Sequence, residues 1–293
     1  MSIRIQRFDQ LETETIAALQ RQLSQYYSSP PDSYYEIAND AATKYTPDLQ
    51  PFHCDLVSRV EPGMTILELG CGTAHLCRFV EARGGVYTGM DFDNAVLSRN
   101  RRNFPGARFL SIGTELGEQF DLVASLYTIE HIADPAGYLD RMWGFCKPGG
   151  FLAVICPEFI DSDCYPPSFY YGKTARRFRD KARSLDLIDM LLHIVDLKWH
   201  APRWKKRARR SEPGSFWINL RPSELAGMVH GIDTDAVYLS RLADLTWWFN
   251  RRGATITATS RTMAGVSREV LQFNSYVLAQ KPLAGERMSH FNL

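Results

Sequence analysis

The chain has 293 residues, 45% of them hydrophobic and 23% charged, with a formal net charge of +1. That composition is globular and its balanced charge excludes a chain-wide attraction to nucleic acid or membrane, so any such signal must be local. No apolar run approaches the ~18 residues that a membrane-spanning helix needs.

Residues 1–10 carry charge and lack an apolar core, so no signal peptide is expected and a reducing cytoplasmic compartment is. The six cysteines make no CxxC pair and no zinc spacing. Several sit in apolar runs and read as small buried side chains. Near the N-terminus Ile16, Leu19 and Leu23 share one helical face. Pro30 and Pro31 end that helix, and a tyrosine-rich loop containing Tyr34, Tyr35 and Tyr45 follows.

Regular alternation starts at residue 65. Segments 65–69 (TILEL), 86–91 (VYTGMD), 107–112 (ARFLSI), 120–126 (FDLVASL) and 151–157 (FLAVICP) read as strands. Segments 73–83 and 93–103 read as helices, Asp134-Pro135 opens another, and 147–150 (KPGG) is a tight turn. The alternation stops after Pro157 and resumes with a helix at 240–253 and strands at 254–260 and 274–281. Short apolar strands alternating with helices predict an α/β fold with a parallel sheet covered on both faces. The expected organisation is an N-terminal helical cap (1–60), a sheet domain (61–157 and 237–282), an insertion (158–236) and a tail (283–293).

Two glycines, Gly70 and Gly72, sit where the first sheet strand hands over to a helix. Ligands of doubly wound sheets bind beyond the carboxyl ends of the strands, and only glycine lets backbone amides approach closely there. Asp91 lies 21 residues after Gly70, at the end of the second strand, where an acid can bind both hydroxyls of a ribose. Glycine turn, acid and βαβ context together point to a nucleoside ligand. A dinucleotide would need a small residue where His75 stands. Glu68, just before the turn, adds negative charge that suits an ammonium or sulfonium better than a diphosphate.

The run Glu68-Leu69-Gly70-Cys71-Gly72-Thr73-Ala74 resembles the first motif of class I S-adenosylmethionine-dependent methyltransferases, small-molecule branch. Gly89-Met90-Asp91-Phe92-Asp93 resembles their second motif. Phe120-Asp121-Leu122-Val123, Ile129-Glu130-His131-Ile132, Asp134-Pro135 and Lys147-Pro148-Gly149-Gly150 resemble the later ones, in family order. The resemblance implies a Rossmann-like seven-stranded sheet, mostly parallel with the last strand antiparallel, and S-adenosyl-L-methionine as cofactor. It implies that Gly70, Cys71 and Gly72 offer backbone to the methionine part, with Glu68 beneath. It implies Asp91 on the ribose, Phe92 on the adenine, Tyr127 near the methyl, and Tyr35 as a tyrosine that closes over the cofactor. Ala74 replaces a third glycine, and Gly113 and Thr114 stand where an aspartate often reads the adenine amino group.

Methyl transfer from a sulfonium is an in-line displacement in which alignment of donor and acceptor does most of the work. A hydroxyl acceptor also needs a base, and His131 is the candidate, with Glu158 and Tyr127 as rivals. His53, His193, His200 and His230 read as surface or insertion residues, and no ligand cluster calls for a metal.

Residues 173–210 carry thirteen Lys and Arg against four Asp, a local balance of +9. Between the basic clusters, Asp186, Asp189, His193, Asp196 and His200 form one polar stripe on an otherwise apolar helix. Such a helix is expected to pack on the core as a lid or in a homodimer interface. A peripheral contact with an inner membrane face and RNA binding are the other uses of that pattern, RNA the weaker for want of a recognisable module. The expected activity is in-line methyl transfer to a small-molecule or glycan-type acceptor, by O-methylation. N- or C-methylation, a lipid-linked acceptor, and a cofactor-binding pseudoenzyme subunit are the alternatives.

Overall fold

A computed structural model describes residues 5–28, 51–163, 165, 178–222, 236–263, 270 and 273–285. Tyr35 and His230 lie outside the described residues. The chain runs β1 (Ile5–Arg7), α1 (Thr13–Ser28), α2 (Pro51–Ser58), β2 (Thr65–Leu69), α3 (His75–Ala82), β3 (Val86–Asp91), α4 (Asn94–Asn103), β4 (Arg108–Ser111) and β5 (Phe120–Leu126). It continues through α5 (Pro135–Phe145), β6 (Cys146–Pro157), α6 (Phe178–Arg183), α7 (Leu187–Val195), α8 (Ala201–Arg209) and β7 (Trp217–Asn219). It closes with α9 (Leu242–Arg251), β8 (Thr255–Thr259) and β9 (Asn274–Gln280).

Seven strands form one sheet in the order β4-β3-β2-β5-β6-β9-β8. Only β9 runs antiparallel to its neighbours, as expected for this fold. Side chains alternate between two cores. Leu67, Leu69, Val123, Leu152 and Val154 pack under α1, α5 and α9 through Leu19, Leu23, Leu139, Met142, Leu245 and Trp248. Ile66, Leu122, Ala124, Ala153 and Ile155 pack on the opposite face against Phe52, Leu56, Leu76, Val80 and Leu97. Cys71, Cys77, Cys146 and Cys156 are buried in these layers, while Cys54 is exposed.

The helices start where the sequence caps them. Asp93 accepts from the amides of Ala95 (2.6 Å) and Val96 (3.4 Å), and Asp134 accepts from Gly137 (2.8 Å) ahead of Pro135. The 147–150 segment is not a free-standing turn. β6 begins at Cys146, and its register against β5 slips between Phe120 and Leu122, so KPGG is a bulged entry to the strand. A two-stranded ribbon of β1 and β7 was not foreseen, because three-residue strands are too short to show a period.

The largest departure lies in 178–210. One apolar helix was expected, buried on the core or in an interface. Leu185, with φ of 54°, ends α6, and α7 starts afresh. A π-helical turn over Asp196–His200 then joins α7 to α8 without leaving helical backbone. Pro202 explains the wide turn, since it has no N–H to continue the regular ladder. Of the polar stripe, Asp189 turns inward and is buried, Asp186 and Asp196 are half-buried, and His200 is exposed. Asp189 pairs with buried Lys181 at 2.9 Å, while the apolar residues of α7 are mostly exposed.

Glu158, at the exit of β6, joins three segments. One carboxylate oxygen accepts from the amides of Ile160 (3.1 Å) and Asp161 (2.9 Å), the other from the amide of Leu242 (2.8 Å) and the hydroxyl of Ser275 (2.7 Å). Removing it leaves several buried donors unmatched, each costing about 1–3 kcal/mol. Glu158→Ala should lower stability in urea by about 3 kcal/mol or more, and Glu158→Gln by less; an unchanged midpoint for Glu158→Ala would contradict this role.

Candidate functional site

The site forms at the carboxyl ends of β2, β3 and β5, which lie side by side in the sheet. The turn after β2 is left-handed at Gly70 (φ 75°), Gly72 (φ 47°) and also Ala74 (φ 57°). The amides of Gly70 and Cys71 both donate to the carbonyl of Met90, at 2.8 and 2.9 Å. Asp91 extends the clamp, because one carboxylate oxygen accepts from the amide of Gly72 at 2.8 Å and the other from Asp93 at 3.1 Å. From α4, the Asn100 side-chain amide donates to the carbonyl of Gly72 at 2.7 Å.

The two glycines serve different ends. A Cβ on Gly70 would stand 2.2 Å from Cγ2 of Thr128, so close packing with the loop after β5 demands glycine there. A Cβ on Gly72 would meet nothing within 4 Å. The turn thus presents bare backbone to open space, which suits a bulky ligand lying on it. Gly113 beyond β4 likewise opens on clear space, with half-buried Thr114 next to it. Phe92 follows Asp91 and is half-buried.

Glu68 lies buried beneath the turn and accepts a short hydrogen bond from Tyr87. Burial pushes its carboxyl up to about 8; the Tyr87 hydrogen bond opposes this and the nearby Asp91 charge reinforces it. It therefore holds a proton at neutral pH in the ligand-free chain, and the expectation of a standing negative charge there is corrected. His75, in the third-glycine region, sits 2.6 Å from the Thr73 hydroxyl through Nε2. Burial, then the Arg78 charge, lowers its pKa to about 4, so it is neutral.

The loop after β5 forms the second wall. Tyr127 is left-handed (φ 51°), its amide donates to Ile155 (2.7 Å), and its hydroxyl donates to Asn274 (3.0 Å). Its ring stacks on His53, with centroids 6.2 Å apart. His53 is therefore a buried residue of this wall rather than a surface one, and burial, helped by repulsion from His75 when that ring is protonated, lowers its pKa to about 4. Thr128 donates to the carbonyl of Gly70 at 3.2 Å and so ties the two walls together.

His131 ends a short 3-10 turn (Ile129–His131). Its Nδ1 lies 2.9 Å from the hydroxyl of Tyr27 on α1, and Nε2 lies 3.9 Å from Glu130. When Nδ1 carries the proton it donates to Tyr27, and the Nε2 lone pair becomes the basic one. Glu158 is withdrawn as a rival base, since both its oxygens are engaged by the four donors that hold the fold. Tyr27, Asn100 and Thr128 were missed. Tyr27 continues the Leu19–Leu23 helical face, and that spacing could have drawn attention to it.

Because folding raises the pKa of Glu68, the native chain holds a proton that the unfolded chain loses. Its favourable contribution is complete below pH 4.5 and fades as pH rises through about 8. Glu68→Gln, neutral throughout, should gain stability relative to wild type across that window, on the order of 4 kcal/mol between its ends. Urea titrations at several pH values check this, and parallel profiles would show Glu68 to be ionised in the folded chain.

The family profile described as a methyltransferase domain matches residues 45–259. The chain is 26% identical over 230 residues to the ubiquinone biosynthesis O-methyltransferase of Marinobacter nauticus, covering 73% of this chain and 89% of that one. It is 32% identical over 104 residues to the protein of the same name from Pseudomonas paraeruginosa, but that alignment spans only 45% of the relative. The solved structure of Burkholderia thailandensis 1,6-didemethyltoxoflavin-N1-methyltransferase, with 1,6-didemethyltoxoflavin and S-adenosylhomocysteine bound, superposes with a TM-score of 0.52. It covers 93% of this chain and 91% of its own at 12% identity, a likeness of fold. With the sheet order, the glycine turn and a family match across most of its length, the chain belongs to the class I S-adenosylmethionine-dependent methyltransferases.

Proposed function

We propose that this enzyme binds S-adenosyl-L-methionine over residues 70–72 and transfers its methyl group in line to an oxygen of a small-molecule acceptor. The observation that carries the reading is the Asp91–Gly72 clamp beside clear space. An acid at the end of β3 holds the bare turn by its amide at 2.8 Å, in the place a ribose acid occupies. Gly70, Cys71 and Gly72 would hold the methionine part, Asp91 the ribose, Phe92 the adenine face, and Gly113 and Thr114 the adenine edge. Tyr127 would line the methyl end, and Tyr35 would close over the site.

The bound cofactor supplies an activated methyl group, so the chain's task is alignment and, for a hydroxyl acceptor, removal of a proton. Glu68, protonated without a ligand, would ionise as positive charge arrives above it. His131 would take the acceptor proton at Nε2 while Tyr27 fixes its ring through Nδ1. The relatives named for ubiquinone biosynthesis support oxygen as the methylated atom. We propose the insertion, 158–236, as the wall that selects the acceptor.

Asp91→Ala should weaken S-adenosylmethionine binding by roughly 30- to 100-fold in calorimetry with the fold retained, the cost of about two to three kcal/mol in lost charged hydrogen bonds. His131→Ala should leave that affinity near wild type and lower kcat by about 10²–10⁴. The first would fail on unchanged affinity, the second on full turnover. The acceptor class is tested by following labelled methyl from S-adenosylmethionine into an extract of the source organism, split into aqueous, lipid, RNA and protein fractions. Label in the aqueous or lipid small-molecule fraction supports the reading; label in RNA or protein overturns it.

A further inference from the structure

The outward face of the 187–210 helical rod changes character along its length. The rod comprises α7, the π-turn and α8, about 36 Å at the helical rise of ~1.5 Å per residue. In its first half Leu187, Ile188, Leu191 and Ile194 are exposed, and Trp199 follows on the π-turn, all between 43% and 76% accessible. In its second half Pro202 is exposed together with the cations Arg203, Lys206, Arg207, Arg209 and Arg210. Ala201, Lys205 and Ala208 turn the other way and are buried, so α8 is anchored by its inner side. Arg203 lies over the Trp199 ring at 5.0 Å and joins the two halves.

The cationic half also lines a cavity of about 400 Å³, where Lys205, Lys206, Arg209 and Arg210 converge with Tyr165 and Asp163. Arg209 is braced there by donating to the carbonyls of Ile160 and Ser162, each at 2.8 Å. An apolar row ending in a cationic cleft matches a surface that offers acyl chains at one depth and phosphates at the next.

We propose that this face docks the enzyme on an anionic phospholipid bilayer, with the α7 row entering the headgroup–acyl boundary and the α8 cations taking the phosphates. Charge selects this occupant over a second copy of the chain. Pairing the same face about a two-fold axis would gather the exposed cations of two copies, Arg203, Lys206, Arg207, Arg209 and Arg210 from each, at one interface, whereas an anionic bilayer neutralises them. The length and apolarity suit lying in the interface rather than crossing it, and among the described residues no helix is long and apolar enough to span a membrane. The proposal stands apart from the acceptor's identity, because it concerns only where the enzyme sits.

The test is sedimentation of the purified full chain with vesicles of phosphatidylcholine alone or of equal parts phosphatidylcholine and phosphatidylglycerol. Binding to the mixed vesicles only, weakened by added salt, is expected. Lys206→Glu/Arg210→Glu should weaken it by about 25-fold or more, from ~1 kcal/mol for each cation lost near an anionic surface. Ile188→Ser/Leu191→Ser, on exposed positions, should weaken it comparably while leaving S-adenosylmethionine affinity intact. Failure of the wild-type chain to bind, equal binding to both vesicles, or binding indifferent to Ile188→Ser/Leu191→Ser would each overturn the proposal. So would a wild-type dimer in sedimentation velocity that Leu191→Ser dissolves, or preferential retention by an RNA oligonucleotide over the mixed vesicles.

Discussion

Everything at the centre of this protein depends on how the end of β3 holds the turn after β2. Two amides of that turn converge on the Met90 carbonyl, a third reaches the Asp91 carboxylate, and Asn100 takes the Gly72 carbonyl from the other side. Parallel pairing of β2 with β3 sets both strand ends at one level, so the sheet register itself delivers Asp91 to the turn. The loop after β5 completes the arrangement through Thr128, which packs where a Gly70 side chain would stand. A slip of one residue in the β2–β3 register would move Asp91 to the other face of the sheet and dismantle the clamp.

The sheet is legible in the sequence because its central strands are buried on both faces. TILEL and FDLVASL need continuous apolar runs, and the glycines, Asp93 and Asp134 mark their ends for reasons of backbone conformation and capping. Gly70, Gly72 and Asp91 are legible as a set because their spacing is fixed by one βα unit. The partners that hold them are not. Thr128 and Asn100 act through hydrogen bonds to backbone carbonyls, and Tyr27 meets His131 across 104 positions, so no local pattern signals them. Glu158 looks like any acid at a strand end until the folded chain surrounds it with donors.

The insertion shows a different limit. Periodicity reveals that α7 has an apolar side and a polar stripe, but not which one turns inward. That choice rests on Lys181, which comes from α6 and is fully buried. An unpartnered buried ammonium would be far costlier than a few exposed leucines, so Asp189 is drawn inside and the apolar row is left outside. The usual rule that apolar helices belong in the core gives way here to a single charge that must be matched.

The left-handed alanine, Ala74, has a consequence for how a ligand is received. A non-glycine residue in that conformation costs about 1–2 kcal/mol, and it persists only where its surroundings over-determine the backbone. The turn is therefore preorganised: its shape is fixed during folding, and no loop entropy remains to be lost when a ligand settles on it. The turn itself thus receives its part of the ligand by fit, which leaves any adjustment to the elements around it.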